Sequence, residues 1–272
     1  MTVSDISLTA GMRTNLMNLQ DTNKLLNRTQ QRLSSGKAVN SALDNATNFF
    51  AAQNANQRAG DLSSRKDGLS EAVQTVNAAN AGISAITSLI GAAKGIAQSA
   101  LATSDTNVQS KLASQYDTIR SQIDNLSSDS GYQGLNLLSS SNTLTVTFNE
   151  TSTSQLTVKG FVASSSGLSL TGASNNWQTT SDITSDSAKM DSAVTSLRTN
   201  TQTLAANMNI ITTRQSFTDS MINTLQTGAD NLTLADMNQE GANMLMLQTR
   251  QSLGTTSLQM SSQASQAVLR LF

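Results

Sequence analysis

Residues 12–46 read MRTNLMNLQDTNKLLNRTQQRLSSGKAVNSALDNA. Met12, Leu16, Leu19, Leu26 and Leu33 recur at spacings of three, four or seven. That periodicity places them on one stripe of a helix. Asn23 and Gln30 fall on the same stripe, where a self-sufficient core would carry apolar residues. Ser34-Ser35-Gly36 ends the pattern, and Ser41 or Asp44 is positioned to cap the next helix. A narrow stripe with nothing beside it in sequence needs a partner from elsewhere.

Working outward, a second stripe begins at Ala52. It runs through Ala55, Ala59, Leu62, Lys66, Leu69, Ala72, Val76, Ala79, Ile83, Ile86, Ile90, Ala93, Ala97 and Ala100. This is a heptad-like seam with a single Lys in it, the pattern of a coiled-coil helix. Thr103 to Asn107 is a turn cluster, and Leu112, Tyr116, Ile119, Ile123 and Leu126 predict an antiparallel return helix. Leu144, Val146 and Phe148 alternate with polar residues, as do Leu156 and Val158, with Leu168 and Leu170 beyond. These spacings predict two or three short strands. From Asp186 a second long helix carries Met190, Val194, Leu197, Thr201, Leu204, Met208, Ile211, Gln215, Thr218, Ile222 and Leu225. Gly228 and Asp230-Asn231 read as a joint, and a last helix starts near Leu234. Its stripe is Leu253, Met260, Ala264, Ala267 and Leu271.

The expected fold is mainly α: an elongated antiparallel coiled-coil or helical-bundle rod with a small central β-hairpin region and paired N- and C-terminal helices. The segments are an N-terminal assembly helix (1–42), rod helices (43–142), a short β-rich centre (143–185), a returning rod helix (186–230) and a C-terminal assembly helix (231–272).

Composition narrows the function. Charged residues are 13% and aromatics 3%, against about 25% charged in typical domains. Pro, Cys and His are all absent. Without Pro, long helices run uninterrupted. Without His or Cys, catalytic triads and zinc sites built on them are excluded. No catalytic residue, metal or cofactor is expected. Asp182, Asp186 and Asp191 lack cation-loop spacing, and Asp186 suits a helix N-terminus. Gly36-Lys37 is a turn and not a phosphate loop, because position 31 is Gln and position 38 is Ala. A net charge of −1 without a basic stripe argues against nucleic acid. The window Ile83 to Leu101 holds only Lys94, but Ser84, Thr87, Ser88, Gln98 and Ser99 interrupt it, so no membrane insertion is expected. The first twenty residues lack the pattern of a Sec-type signal.

RLSSGKAVNSALDNA (Arg32 to Ala46) and LADMNQEGANMLMLQTRQSLGTTSLQMSSQASQAVLRLF (Leu234 to Phe272) together resemble bacterial flagellin. The likeness covers roughly 1–140 and 186–272. It implies a secreted, extracellular structural subunit that self-assembles into the helical filament of the bacterial flagellum for swimming motility. It implies as partners other copies of the chain, the flagellar type III export machinery, an export chaperone, and hook-associated junction and cap proteins. The self-assembly interface is expected at Met12, Leu16, Leu19, Leu26 and Leu33 with Leu253, Met260, Ala264, Ala267 and Leu271. The related junction proteins carry a Pro-containing run where this chain has Asn40 to Asn45. The centre is too short for large outer domains. Gly91-Ala92 stand where receptor-recognised flagellins carry a Gln-Arg pair, which implies weak recognition by that innate receptor.

Overall fold

The computed structural model describes residues 10–139 and 142–269. The order is α1 (Ala10–Ser35), α2 (Ala46–Leu101), α3 (Thr106–Asp129), β1 (Thr143–Thr147), β2 (Gln155–Lys159), α4 (Thr180–Thr233) and α5 (Met237–Leu269). Two compact units result: Met1–Gln57 with Thr224–Phe272, and Arg58–Asn223.

The larger unit follows from the α2 seam. Leu69, Ala72, Val76, Ala79, Ile83, Ile86, Ile90, Ala93, Ala97 and Ala100 are all buried, at every third or fourth position. Ala113, Tyr116 and Ile123 of α3 and Met190, Leu197, Leu204 and Ile211 of α4 complete this core. Each large side chain so buried contributes about 1.5–3 kcal/mol. α2 is apolar enough by composition to cross a membrane, but Ile83, Ile86 and Ile90 lie inside this core. Polar pairs fix the α2–α4 register: Lys66 Nζ lies 2.7 Å from Asp219 Oδ1, Gln215 donates to Ser70 Oγ at 2.9 Å, and Lys94 pairs with Asp191.

The helix ends depart from the sequence expectations in instructive ways. Asn45, not Ser41 or Asp44, caps α2, its Oδ1 accepting the Asn48 amide at 3.1 Å. Asp44 instead accepts the amides of Asn40 and Ser41, both at 3.0 Å, and closes the turn before the helix. These two bonds lead the causes that hold its carboxyl below the ordinary carboxylate range. α4 starts at Thr180, not Asp186: Thr179 and Asp182 form a capping pair, with Thr179 Oγ1 donating to Asp182 Oδ2 at 2.7 Å. No joint interrupts α4 at Gly228. A Gly inside a helix costs only about 1 kcal/mol, and burial of Ala229 and Thr233 on either side of Asp230 holds the chain helical to Thr233. The joint comes at Leu234–Asp236, and α5 starts at Met237, capped by Asp236.

Among the described residues the sheet has two strands, paired antiparallel with Leu144 opposite Val158 and Val146 opposite Leu156. Leu168 and Leu170 are buried but form no third strand. Their amides bond locally to Ser164 and Ser165 carbonyls, and Asp124 of α3 takes the Ser165 amide and hydroxyl at 2.7 and 2.9 Å.

Asp186 is fully buried and anchors the loop before α4. Its carboxylate accepts from the Ser174 amide (2.8 Å), Ser174 Oγ (2.9 Å), Trp177 Nε1 (2.9 Å) and Lys189 Nζ (2.9 Å). Trp177 stacks on Tyr116 with ring centres 5.1 Å apart. Asn175, Asn176 and Trp177 all take positive φ, 48°, 51° and 59°, a conformation that disfavours bulky residues. Burial of Trp177 and its bond to Asp186 hold that turn. Burial alone would raise the Asp186 pKa, but the donors outweigh it and hold the carboxyl below its ordinary value. The stability it adds is therefore complete above the unfolded value of about 3.9 and is lost as pH falls through the lowered folded value. Trp177 is the sole Trp, so its emission should shift to the red on acidification in that window. Asp186→Asn should remove most of this acid step and lower the melting stability at neutral pH by about 2 kcal/mol. An unchanged acid profile in Asp186→Asn would contradict the assignment.

Candidate self-assembly interface

The smaller unit pairs α1 with α5, antiparallel, along most of their length. Three polar rungs set the register. Asn15 Nδ2 donates to Ser257 Oγ at 3.3 Å, Gln251 Nε2 donates to Asn23 Oδ1 at 2.7 Å, and Arg32 Nη1 lies 2.9 Å from Glu240 Oε1. Between them the helices approach closely at Gly254, where an added Cβ would stand 3.1 Å from Leu19 Cδ1. At the far end Ser265 Oγ meets Met12 Sδ at 3.9 Å.

The other end is a backbone clasp. Gly36, at φ 71°, ends α1 in the left-handed conformation glycine favours. The amides of Ala38 and Val39 donate to the Thr233 carbonyl at 2.8 and 3.2 Å, and Ala235 donates to Gly36 at 2.9 Å. Lys37 and Leu234 thereby form an antiparallel bridge. The Ser-Ser-Gly turn thus holds the joint between α4 and α5 in place.

The expected N-terminal stripe is brought to this contact in part. Met12 is buried, Leu19, Leu26 and Leu33 are half-buried, and Leu16 is 38% exposed. The expected C-terminal stripe does not face α1. Leu253 and Met260 are each 65% exposed, and Ala264 and Ala267 are exposed too. Leu271 lies outside the described residues. The face of α5 that is turned inward is Glu240, Met244, Leu247, Gln251, Gly254, Leu258, Ser261 and Ser265, buried or half-buried at strict four–three spacing. That spacing was available in the sequence, but polar and small residues fill more than half of it, so an apolar count passes it over. Asn23 is a rung and not a defect. Arg32 and Glu240 pair within the chain.

Outside this contact α5 exposes Leu245, Met246, Leu253 and Met260, and α1 exposes Leu16, Met17 and Leu25. A groove lined by Leu253, Thr256, Ser257, Met260, Ser261 and Ala264 runs along α5 at the edge of this contact. Nothing in this surface holds paired general acids and bases, and no cluster of metal-ligating residues occurs among the described residues.

The family profile of the bacterial flagellin N-terminal helical region matches residues 6–143. Flagellin FljN of Caulobacter vibrioides is 31% identical over 280 residues, and flagellin FljM of the same organism 30% over 276, each comparison covering 100% of both chains. The chain belongs to the bacterial flagellin family. A flagellin of Brucella melitensis is 27% identical over 282 residues, covering 95% of each chain. A crystal structure of Bacillus cereus flagellin aligns with 61% of this chain and 93% of its own at a TM-score of 0.48 and 15% identity. As a flagellin this chain is a structural subunit of the flagellar filament, and the family is structural rather than enzymatic. The smaller unit contains both stretches that carry the resemblance, Arg32–Ala46 and Leu234–Phe272.

Removing one partner of the innermost rung tests the pairing. Arg32→Ala leaves the Glu240 carboxylate, whose side chain is 9% exposed, without its cation. The change should weaken the α1–α5 contact by about 2–3 kcal/mol. Hydrogen exchange should then speed up across both helices and leave the α2 seam protected. Equal protection in the variant would show that the rung does not hold the pair.

Proposed function

We propose that the outward row of α5, with Leu253, Met260, Ala264 and Ala267, and the exposed part of the α1 stripe at Leu16 form the surface on which copies of this flagellin join. The observation that carries this reading is the exposure of Leu253 and Met260 on a helix whose inner face is already occupied by α1. Covering each such side chain by a neighbouring copy contributes about 1.5–3 kcal/mol. Contacts between unlike surfaces that do not close into a ring propagate as an open helical polymer.

Two paired helices bury little, and their ordering entropy is large. The intrachain contact is also partly polar, through Asn15, Asn23 and Gln251. α1 and α5 therefore become lasting helices when neighbours cover the outer row. Met12, Leu19, Leu26 and Leu33 hold α1 to α5, and the outer row holds copy to copy. A chain without Pro or Cys suits passage as an unfolded polypeptide through a flagellar type III channel. An export chaperone would cover the same row before assembly, and junction and cap proteins would meet it at the filament's two ends. The assembled filament is extracellular and serves swimming.

Leu253→Asp and Met260→Asp are each expected to abolish polymerisation, read by sedimentation and electron microscopy, with the helical circular dichroism retained. Normal filaments from both variants would refute the interface. Limited proteolysis gives a second reading. Sites in α1 and α5 should be cut before those in α2 in the monomer and become protected in filaments. Equal cutting of α1 and α5 in the two states would contradict folding on assembly.

A further inference from the structure

We propose that a pocket at the turn of the β1–β2 hairpin receives an acidic side chain from a second copy of this chain. The inference rests on the filament reading and extends it to the larger unit. The pocket has a volume of about 110 Å³ and is lined by Leu62, Phe148, Arg58, Glu150, Arg214 and Phe217, among others. Leu62 and Phe148 form a buried apolar floor, yet Phe217 beside them is 55% exposed. Phe217 and Met221 give the rim an apolar part, beside the polar Asn149, Ser154 and Thr218.

The charges around it are unequally satisfied. Arg58 Nε lies 2.5 Å from Glu150 Oε1, so each occupies the other. Lys66 is taken by Asp219 at 2.7 Å. Arg65, like Arg214, forms no ion pair among the described residues, and its charge acts on Glu150. Arg214 differs in what it packs against. Its guanidinium carbon stands 5.1 Å from the centre of the Phe148 ring, and among the described residues no carboxylate lies within ion-pair distance of it. An arginine packed by its face against a ring keeps its edge N–H donors available, and that edge matches a carboxylate with two parallel hydrogen bonds. The apolar floor lowers the local dielectric and strengthens such a pair.

A second copy is the occupant that fits. In a homopolymer every complementary group must come from the same sequence. This chain carries exposed acids without an ion pair among the described residues, Asp67 and Asp129 for example. The charge of Arg214 and the exposed ring of Phe217 together call for a carboxylate borne on a side chain with an apolar neighbour.

The test uses the full chain in seeded polymerisation. Arg214→Glu should raise the critical concentration about tenfold or more, and Arg214→Gln by less. Arg214→Lys keeps the charge but loses the planar fork and should fall between wild type and Arg214→Gln. All three should keep wild-type circular dichroism, because Arg214 is exposed. A photo-crosslinking residue placed at Phe217 should join, in filaments only, to an Asp- or Glu-containing peptide of another copy. Arg214→Glu and Arg214→Gln assembling at the wild-type critical concentration would overturn the inference while leaving the filament reading intact. So would crosslinks confined to the same chain. A wild-type chain that does not assemble would overturn both.

Discussion

The structure depends on one constraint: α2 must stay helical without a break while its small apolar residues meet α3 and α4. Ala72, Ala79, Ala93, Ala97 and Ala100 share the buried seam with Leu69, Val76, Ile83, Ile86 and Ile90. Ala offers little area per residue, so stability comes from length and close approach rather than from large side chains. A single Pro in α2 would remove a hydrogen bond and clash with the preceding turn, at about 3 kcal/mol. The chain has none. In the larger unit Tyr116 and Trp177 stack. Burial, and then the nearby charge of Asp186, push the Tyr116 phenol up to about 12, so it stays neutral and its hydroxyl donates to the Thr171 carbonyl at 2.9 Å.

The smaller unit obeys different physics. Its helices meet through polar rungs and a glycine, not through a continuous apolar seam. Polar groups at such positions set register at some loss of stability. Asn15–Ser257, Asn23–Gln251 and Arg32–Glu240 allow one alignment of α1 on α5, because any slip leaves partners unpaired. A pair specified in register but modest in stability suits a polymer subunit. The apolar residues not used within the chain, Leu253 and Met260 above all, lie on the opposite side of α5. That division leaves Leu253 and Met260 outside the α1 contact.

Much of the layout was legible from residue order. The α2 seam, the α3 return, the hairpin and the terminal helices follow from spacing, because burial of one face demands a period of 3.6 or 2. Membership in the flagellin family was legible too, in Arg32–Ala46 and Leu234–Phe272. The misreadings have a common cause. Asn45 rather than Asp44 as a cap, Thr180 rather than Asp186 as the start of α4, and the unbroken passage through Gly228 all turn on which of several adjacent polar groups finds a donor or acceptor. Asp186 is the clearest case. As a sequence it looks like a helix N-terminal acid, while its four donors come from Ser174, Trp177 and Lys189.

Residue order alone therefore established the helical class, the seam of the larger unit and the family, since these rest on periodicity and local motif. Which side of α5 faces α1 needed the folded chain. Two stripes of similar strength run along that helix, one through Leu253 and Met260 and one through Leu247, Gly254 and Leu258. An apolar count favours the first. Glu240 and Gln251 choose the second, because their partners Arg32 and Asn23 are more than two hundred residues away in sequence and meet them only when the helices pair.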